Sequence, residues 1–212
     1  MSFLQQISVL VLTFNEAPNM GRTLDALAGF PEVVVLDSGS TDATLEIAGR
    51  YPNVRIASRP FDTHSAQWNH GLTACGLKGE WVLALDADYV LSPRLVEEIA
   101  ALSPPADVAG YQTGFTYWIL GRPLSRSLYP PVTTLYRRLG ARYEQDGHTQ
   151  RVRLAGAVAG LRGRIAHDDR KPLAHWLAAQ DRYARLECAL LLEKPWAELH
   201  WRDRLRRMKI IT

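Results

Sequence analysis

"VVVLDSGSTDATLEIA", Val33–Ala48, is the stretch that decides the fold. With Glu32 before it, the run "EVVVLD" (Glu32–Asp37) is apolar and largely β-branched, which predicts a strand covered on both faces. Ser38, Gly39, Ser40 and Thr41 form a polar turn, and Leu45 and Ala48 open a helix. Asp42 or Thr41 can cap that helix. Asp37 is harder to place, because a carboxylate ending a buried strand needs hydrogen-bond donors. Either the turn's own N–H groups or a bound nucleobase or ribose would supply them.

The same alternation extends in both directions. "ISVLVLTF" (Ile7–Phe14), "VRIAS" (Val54–Ser58) and "WVLALD" (Trp81–Asp86) read as further strands. Between them, Met20, Leu24 and Leu27, and then Trp68, Leu72 and Cys75, repeat at i, i+4, i+7, the spacing of one helix face. Ser92 followed by Pro93 is an N-cap and a first-turn proline, with Leu95, Ile99 and Leu102 as the buried stripe. This order predicts an α/β fold, with a mostly parallel mixed sheet flanked by helices. Ligands bind such sheets beyond the carboxyl ends of the strands, where "TFNE", "DSGSTD" and "DADY" all stand.

After Ser103-Pro104-Pro105 the pattern changes to longer strands with mixed pairing. "KPLAHWLAAQDRYARLECALLLE" then predicts a closing helix with a stripe at Trp176, Ala179, Tyr183, Leu186 and Leu190. With no repeat or clean linker, residues 1–212 read as a single domain. Residues 1–102 form a nucleotide-type half and residues 103–212 an acceptor-side half. The abrupt end at "MKIIT" suits a chain whose C-terminal segment is missing.

Of 212 residues, 47% are hydrophobic and 22% charged, which supports a substantial core and excludes general disorder. A net charge of +3 excludes a general polyanion binder, so no nucleic-acid partner is expected. The charge is uneven: Arg202, Arg204, Arg206, Arg207 and Lys209 crowd the tail against Asp203. Such a tail suits peripheral contact with an anionic membrane surface, or simply a solvated helix end. Cys75 and Cys188 form no CxxC pair, so both read as small core residues in a reducing compartment. No signal peptide or membrane-spanning run is visible. The expected location is cytoplasmic, at most peripheral at the inner face of the plasma membrane.

The chemistry concentrates in "LALDADYV". Asp86 and Asp88 flank Ala87 at a strand exit, and in extended backbone residues i and i+2 share a side. Two such carboxylates repel unless a cation or proton intervenes. Mg²⁺ or Mn²⁺ held by one or two carboxylates plus substrate phosphates would meet that need; a turn with helix-capping acids is the plainer reading. The chain lacks a P-loop and a GxGxxG fingerprint.

In this order and spacing, "SVLVLTFNEAPNMGRTLDAL", "VVVLDSGSTDATLEIA" and "WVLALDADYVLSPRLVEEI" resemble the family 2 inverting glycosyltransferases of GT-A fold, over residues 6–102. More loosely, "HTQRVRLAGAVAGLRGRIAHDDRKPLAHWLAAQDRYARLE" is similar to bacterial members that glycosylate lipopolysaccharide core or other envelope glycans. The resemblance implies that Thr13, Phe14, Asn15 and Glu16 border the nucleobase and ribose. Asp37, in one turn with Ser38 and Gly39, would receive the base, usually uracil. Asp86 would approach ribose or metal across Ala87, Asp88 would ligate the metal, and His167 would complete the metal shell. Asn69 matches the Asn of a segment that usually reads "G…ARN.G", although Trp68 replaces the usual Arg; Arg59 and His64 would face the diphosphate.

An inverting transferase also needs a carboxylate to take the acceptor hydroxyl's proton. Similar enzymes show Val-His-Glu, but here "EQDGHTQ" places Thr149 at the Glu position. Asp146 is the candidate base, with Glu144 and His148 behind it, while Asp146-Gly147 reads equally as a hairpin turn. Asp168, Asp169 and Arg170 touch acceptor or diphosphate, or cap the helix opened by Pro172. Tyr111, Phe115, Tyr117, Trp118 and Tyr129 could stack on sugar rings, although most such rings are core.

The implied function is metal-dependent transfer from a nucleotide-sugar, usually a UDP-sugar, to a saccharide or lipid-linked acceptor in envelope glycan synthesis. The alternatives are a non-catalytic nucleotide-sugar-binding module and a nucleotidyltransferase. The latter normally opens with a Gly-rich, basic loop, which "TFNEAPNMGRT" is not.

Overall fold

A computed structural model describes residues 2–119, 121–125, 130–146 and 149–211. The first half alternates as the pattern predicts: β1 (Ile7–Thr13), α1 (Ala17–Asp25), β2 (Glu32–Asp37), α2 (Thr44–Ala48), β3 (Val54–Ser58), α3 (His64–Ala74), β4 (Trp81–Asp86), β5 (Tyr89–Leu91) and α4 (Pro93–Ala100). The second half is strand-rich: β6 (Val108–Ile119), β7 (Arg122–Pro123), β8 (Val132–Arg137), β9 (Arg142–Asp146), β10 (Thr149–Arg153) and β11 (Ala157–His167). Two helices follow, α5 (Leu173–Glu193) and α6 (Trp201–Ile211).

The main sheet runs β3-β2-β1-β4-β8-β6-β11-β5. β3, β2, β1 and β4 are parallel, β8 is antiparallel to both β4 and β6, β11 is parallel to β6, and β5 is antiparallel to β11. β1 is buried along its whole length because both faces of the sheet are covered. Val9 and Val11 enter one core layer with Met20 and Leu24 of α1, Leu27 of the turn just after it, and Leu95 and Ile99 of α4. Leu10 and Leu12 enter the opposite layer with Trp68, Leu72 and Cys75 on the α3 side. The period of two in the strand thus feeds two helical layers.

Three expectations change here. Phe14 leaves the strand and is 54% exposed, so β1 ends one residue earlier than the apolar run suggested. The closing helix forms, but Trp176 and Leu186 of its supposed buried stripe are exposed, because among the described residues the elements near α5 leave that face open. Cys188 lies on the same helix and is exposed, whereas Cys75 is buried as expected. Among the aromatic residues, Tyr111 and Phe115 are core, and Tyr117 packs against the core partly buried. Tyr129 lies outside the described residues.

Candidate functional site

Register brings the polar strand ends together. Thr13 pairs with Asp37 and Leu12 with Asp86, so the exits of β1, β2 and β4 form one rim. Two of the three turns are laced by hydrogen bonds. Asn15 has φ 53°, a left-handed conformation that Asn tolerates. Its N–H donates to Ser40 Oγ at 2.8 Å, and its Oδ1 accepts from the Thr41 N–H at 2.8 Å. The Glu16 N–H donates to Thr44 Oγ1 at 2.7 Å. The N-cap position of α2 falls on Ala43, so neither Asp42 nor Thr41 occupies it; Asp42 instead sits one residue earlier and accepts the first N–H groups of two helices, Thr44 of α2 at 3.0 Å and Ala17 of α1 at 3.1 Å.

The donors for Asp37 come from its own turn. Its carboxylate accepts the N–H groups of Gly39 and Ser40 at 2.8 and 2.9 Å and the Ser40 hydroxyl, and the residue is only 1% exposed. Gly39 makes this possible with φ +96°, a conformation that side chains rarely adopt. Ser38 is held from the other side by Gln67, whose amide donates to Ser38 Oγ at 3.1 Å. Thr13 is buried, with a hydroxyl that has no partner among the described residues.

The acids at the end of β4 have different neighbours. Asp86 lies near Tyr89, and Asp88 Oδ2 lies 2.9 Å from His167 Nε2. Burial pushes the Asp86 carboxyl up to about 6, and the charge of Asp88 adds to the rise. Burial alone would raise Asp88 too, but the hydrogen bond and charge of His167 outweigh it and hold Asp88 below the ordinary range. The same contact raises His167 against its own burial. The ring of His167 lies between Tyr89 and Tyr117, with centroids at 5.1 and 4.9 Å. Ala87 is buried, and its carbonyl accepts the Thr23 hydroxyl at 2.6 Å, which ties this turn to α1.

Sequence reasoning missed the residues that bring His167 here. Asn19 of α1 is fully buried. Its amide donates to Glu16 at 2.7 Å and Asp169 at 2.9 Å, and its carbonyl oxygen accepts from the Arg170 N–H and from Arg22. Arg22 also donates to the carboxylate and the backbone carbonyl of Asp168, both at 2.7 Å. Lys171 is ion-paired with Glu16. Asp168, Asp169 and Arg170 are therefore used to fasten the segment after β11 onto α1. A capping-type sequence near Pro172 gave no sign of partners some 150 residues away.

Other expected donor contacts are engaged within the protein. Both polar atoms of the Asn69 amide bond the backbone of Tyr143, at 2.9 and 2.8 Å, pinning α3 to β9. Trp68 is buried and stacks on the Tyr143 ring at 5.3 Å, so the position where the family usually carries Arg is core here. Arg59 is paired with Asp62 and donates to Gln67 at 2.6 Å. His64 sits edge-on to Phe61, and burial followed by the charge of Arg182 pushes its pKa down. On the β9–β10 hairpin, Glu144 accepts from Arg153 at 2.8 Å. Asp146 ends β9 opposite Thr149, but the Asp146 side chain and His148 lie outside the described residues.

Among the described residues no three His, Cys, Asp or Glu side chains are grouped to hold a metal by themselves. The arrangement still fits a cation shared with a ligand. His167 Nδ1 is buried without a partner among the described residues, and the Asp86–Asp88 pair carries repulsion that a cation would relieve. Divalent ions of the Mg²⁺ type commonly take one or two carboxylates and complete their shell with water and phosphate oxygens.

This arrangement carries a pH prediction. Because the folded pKa of Asp86 lies above its ordinary 3.8, ionising it costs stability as pH rises from 3.8 through about 6 in metal-free protein. Metal competes with that proton. A rise in Tm on adding Mn²⁺, if Asp86 helps to hold the ion, should therefore be full above pH 7 and shrink on acidification through about 6. A shift of equal size from pH 5 to pH 8 would remove Asp86 from the cation site.

The family model described as Glycosyl transferase family 2 matches residues 8–162, more than half of the chain. The chain belongs to glycosyl transferase family 2. That family comprises inverting glycosyltransferases. Curated relatives of the family 2 chain include an uncharacterized glycosyltransferase of Rickettsia bellii, 34% identical over 96 residues, covering 45% of this chain and 32% of the relative. Another is the lipopolysaccharide core biosynthesis glycosyltransferase LpsC of Rhizobium meliloti, 26% identical over 120 residues, covering 54% of this chain and 44% of LpsC. The chain thus spans less than half the length of these curated relatives.

Solved structures similar to this family 2 chain support the fold. S. aureus TarS 1-349, in complex with UDP-GlcNAc, superposes with a TM-score of 0.62 at 18% identity, covering 98% of this chain and 70% of the 1-349 chain. Glucosyl-3-phosphoglycerate synthase from Mycobacterium tuberculosis, in complex with Mn²⁺, UDP and phosphoglyceric acid, gives 0.55 at 18% identity, covering 86% of this chain and 77% of the synthase. The predicted GT-A architecture is therefore the one observed.

Proposed function

We propose that this chain carries a metal-dependent inverting glycosyltransferase site that takes a UDP-sugar and transfers the sugar to a saccharide or lipid-linked acceptor in bacterial envelope glycan synthesis. The observation that carries the reading is the contact of Asp88 with His167, beside Asp86, on the rim where the exits of β1 and β2 meet. Family membership supports a nucleotide-sugar donor, and the named relative LpsC supports the envelope acceptor class. In this reading residues 1–212 are one domain, with the donor half at 1–102 and the acceptor half at 103–212.

A bound Mg²⁺ or Mn²⁺ would neutralise the leaving diphosphate, held by Asp88, Asp86 and His167. The chain's own residues do the rest. The acceptor hydroxyl oxygen bonds to the anomeric carbon as the bond from that carbon to the diphosphate oxygen breaks, with inversion. A carboxylate on the acceptor side takes the hydroxyl proton. Arg153 engages Glu144, so Asp146 is the base we retain, with His148 beside it in sequence. Calorimetry with UDP and Mn²⁺, followed by an assay of UDP release from UDP-sugars, tests the function. The reading requires UDP binding strengthened by Mn²⁺, and a protein that binds no UDP with Mn²⁺ present abolishes it. Binding without turnover of any donor and acceptor pair would instead indicate a nucleotide-sugar-binding module.

We also propose that α6 rests on an anionic membrane surface. No helix among the described residues is long and apolar enough to cross a bilayer. Trp201, Leu205 and Met208 are nevertheless exposed on a helix that also carries Arg204, Arg206, Arg207 and Lys209. This combination of apolar and basic side chains suits an interfacial helix. The protein should float with phosphatidylglycerol vesicles, not phosphatidylcholine vesicles, and Trp201→Ala/Leu205→Ala should abolish flotation. Flotation that ignores lipid charge or that double substitution would refute it.

A further inference from the structure

We propose that Lys171 is a second cationic contact for the donor's diphosphate, supplying a share of its binding that needs no metal. The inference rests on the donor-site reading above and adds to it a residue outside the Asp86, Asp88 and His167 set.

The geometry begins with the backbone. Four residues beyond His167, the chain is fixed by the Asp168 N–H on the Asp88 carbonyl at 3.3 Å, the Arg170 N–H on Asn19 at 2.8 Å and the Lys171 N–H on Asp169 at 2.9 Å. The Lys171 side chain leaves this fixed point and is only 14% exposed. Its ammonium meets Glu16, at the exit of β1, and lies 3.7 Å from Asp169, beyond direct hydrogen-bond reach. Its positive charge also bears on Asp86 and Asp88. Lys171 therefore stands beside Glu16 at the exit of β1, on the rim whose other acids feel its charge, and a diphosphate joining a nucleoside to a sugar at that rim would come within its reach.

The local chemistry shows why a lysine here does more than neutralise an acid. Asp168 is balanced by Arg22 and Arg170. Asp169 is already bonded by Asn19 and by the Lys171 backbone, and Glu16 by Asn19. An ammonium has three N–H donors, and the Glu16 pair accounts for one. Its flexible four-carbon stem can deliver a point charge to a phosphate oxygen with the backbone held still. Burial costs a lysine its hydration, and an incoming diphosphate would repay that cost with charge-assisted hydrogen bonds.

The test separates this role from a structural one. UDP and uridine are titrated calorimetrically, each with Mn²⁺ and with EDTA, into wild type, Lys171→Met, Lys171→Arg and the double variant Glu16→Gln/Lys171→Met. Lys171→Met should weaken UDP binding by about tenfold or more in both media. Uridine binding should stay within about twofold of wild type, Lys171→Arg should recover part of the UDP loss, and the double variant should not. UDP affinity unchanged in Lys171→Met would overturn the proposal. So would restoration of UDP binding in the double variant, or a parallel loss of uridine, since each marks a lysine that only balances Glu16 or supports the fold. If wild type binds no UDP in either medium, the donor-site reading fails and takes this inference with it. Wild-type binding with an indifferent Lys171→Met removes the inference alone.

Discussion

Asp88→Asn should lower turnover of a UDP-sugar by about a thousandfold at saturating Mn²⁺ while leaving the fold intact. The size follows from the chemistry, because stabilising charge on a leaving diphosphate is worth several kcal/mol, and each 1.36 kcal/mol is a decade of rate. The fold should survive because Asn retains a hydrogen-bonding oxygen for His167 and adds no bulk to a residue that is 9% exposed. What it removes is the charge, in a place where burial pushes the neighbouring Asp86 carboxyl up to about 6. Release of UDP and a circular-dichroism melt on the same preparation form the test. A variant that melts like wild type and keeps more than a tenth of its rate would show that the cation does not depend on Asp88.

Asn19→Ala should destabilise the protein by about 3 kcal/mol and weaken Mn²⁺ binding about 10- to 100-fold, although Asn19 is not placed as a metal ligand. Asn19 is fully buried and joins Glu16, Arg22, Asp169 and the Arg170 backbone. Truncation strands several of these groups without partners, and that loss accounts for the stability cost. The metal effect comes through position: the segment fastened by Asn19 follows directly on His167. A denaturant melt checks the first part and a Mn²⁺ titration at a temperature where the variant is folded checks the second. A variant that is destabilised but binds Mn²⁺ normally would confine Asn19 to the fold.

These two residues show what a sequence discloses and what it hides. The position of Asp88 on the rim was legible because its signal is local: an acid two places from another acid, at the exit of an apolar run. β1, β2 and β4 were legible for the same reason, and so was Ser92 before Pro93, whose hydroxyl accepts the Leu95 N–H as expected. Asn19 gave no such signal. It looks like one more polar residue near the start of a helix, and its partners lie up to 151 positions away. Asn69 was picked out by its place in a motif, but its structural bond to Tyr143 again spans 74 positions. Asp37 shows the intermediate case, since its need for donors was evident while their source was not. The stripe on α5 failed differently. Periodicity tells which residues share a helix face, but says nothing of whether another element covers it, and Trp176 stands 52% exposed.

The bond between Asp88 and His167 spans 79 positions, and the one from Glu16 to Lys171 spans 155. During synthesis Glu16 and Asp88 therefore emerge long before Lys171 and His167, which answer them. A nascent chain can lay down its parallel strands early, but its charge stays unbalanced until the ribosome has passed Lys171. Assembly of the pocket is thereby tied to synthesis of the segment that carries His167 and Lys171.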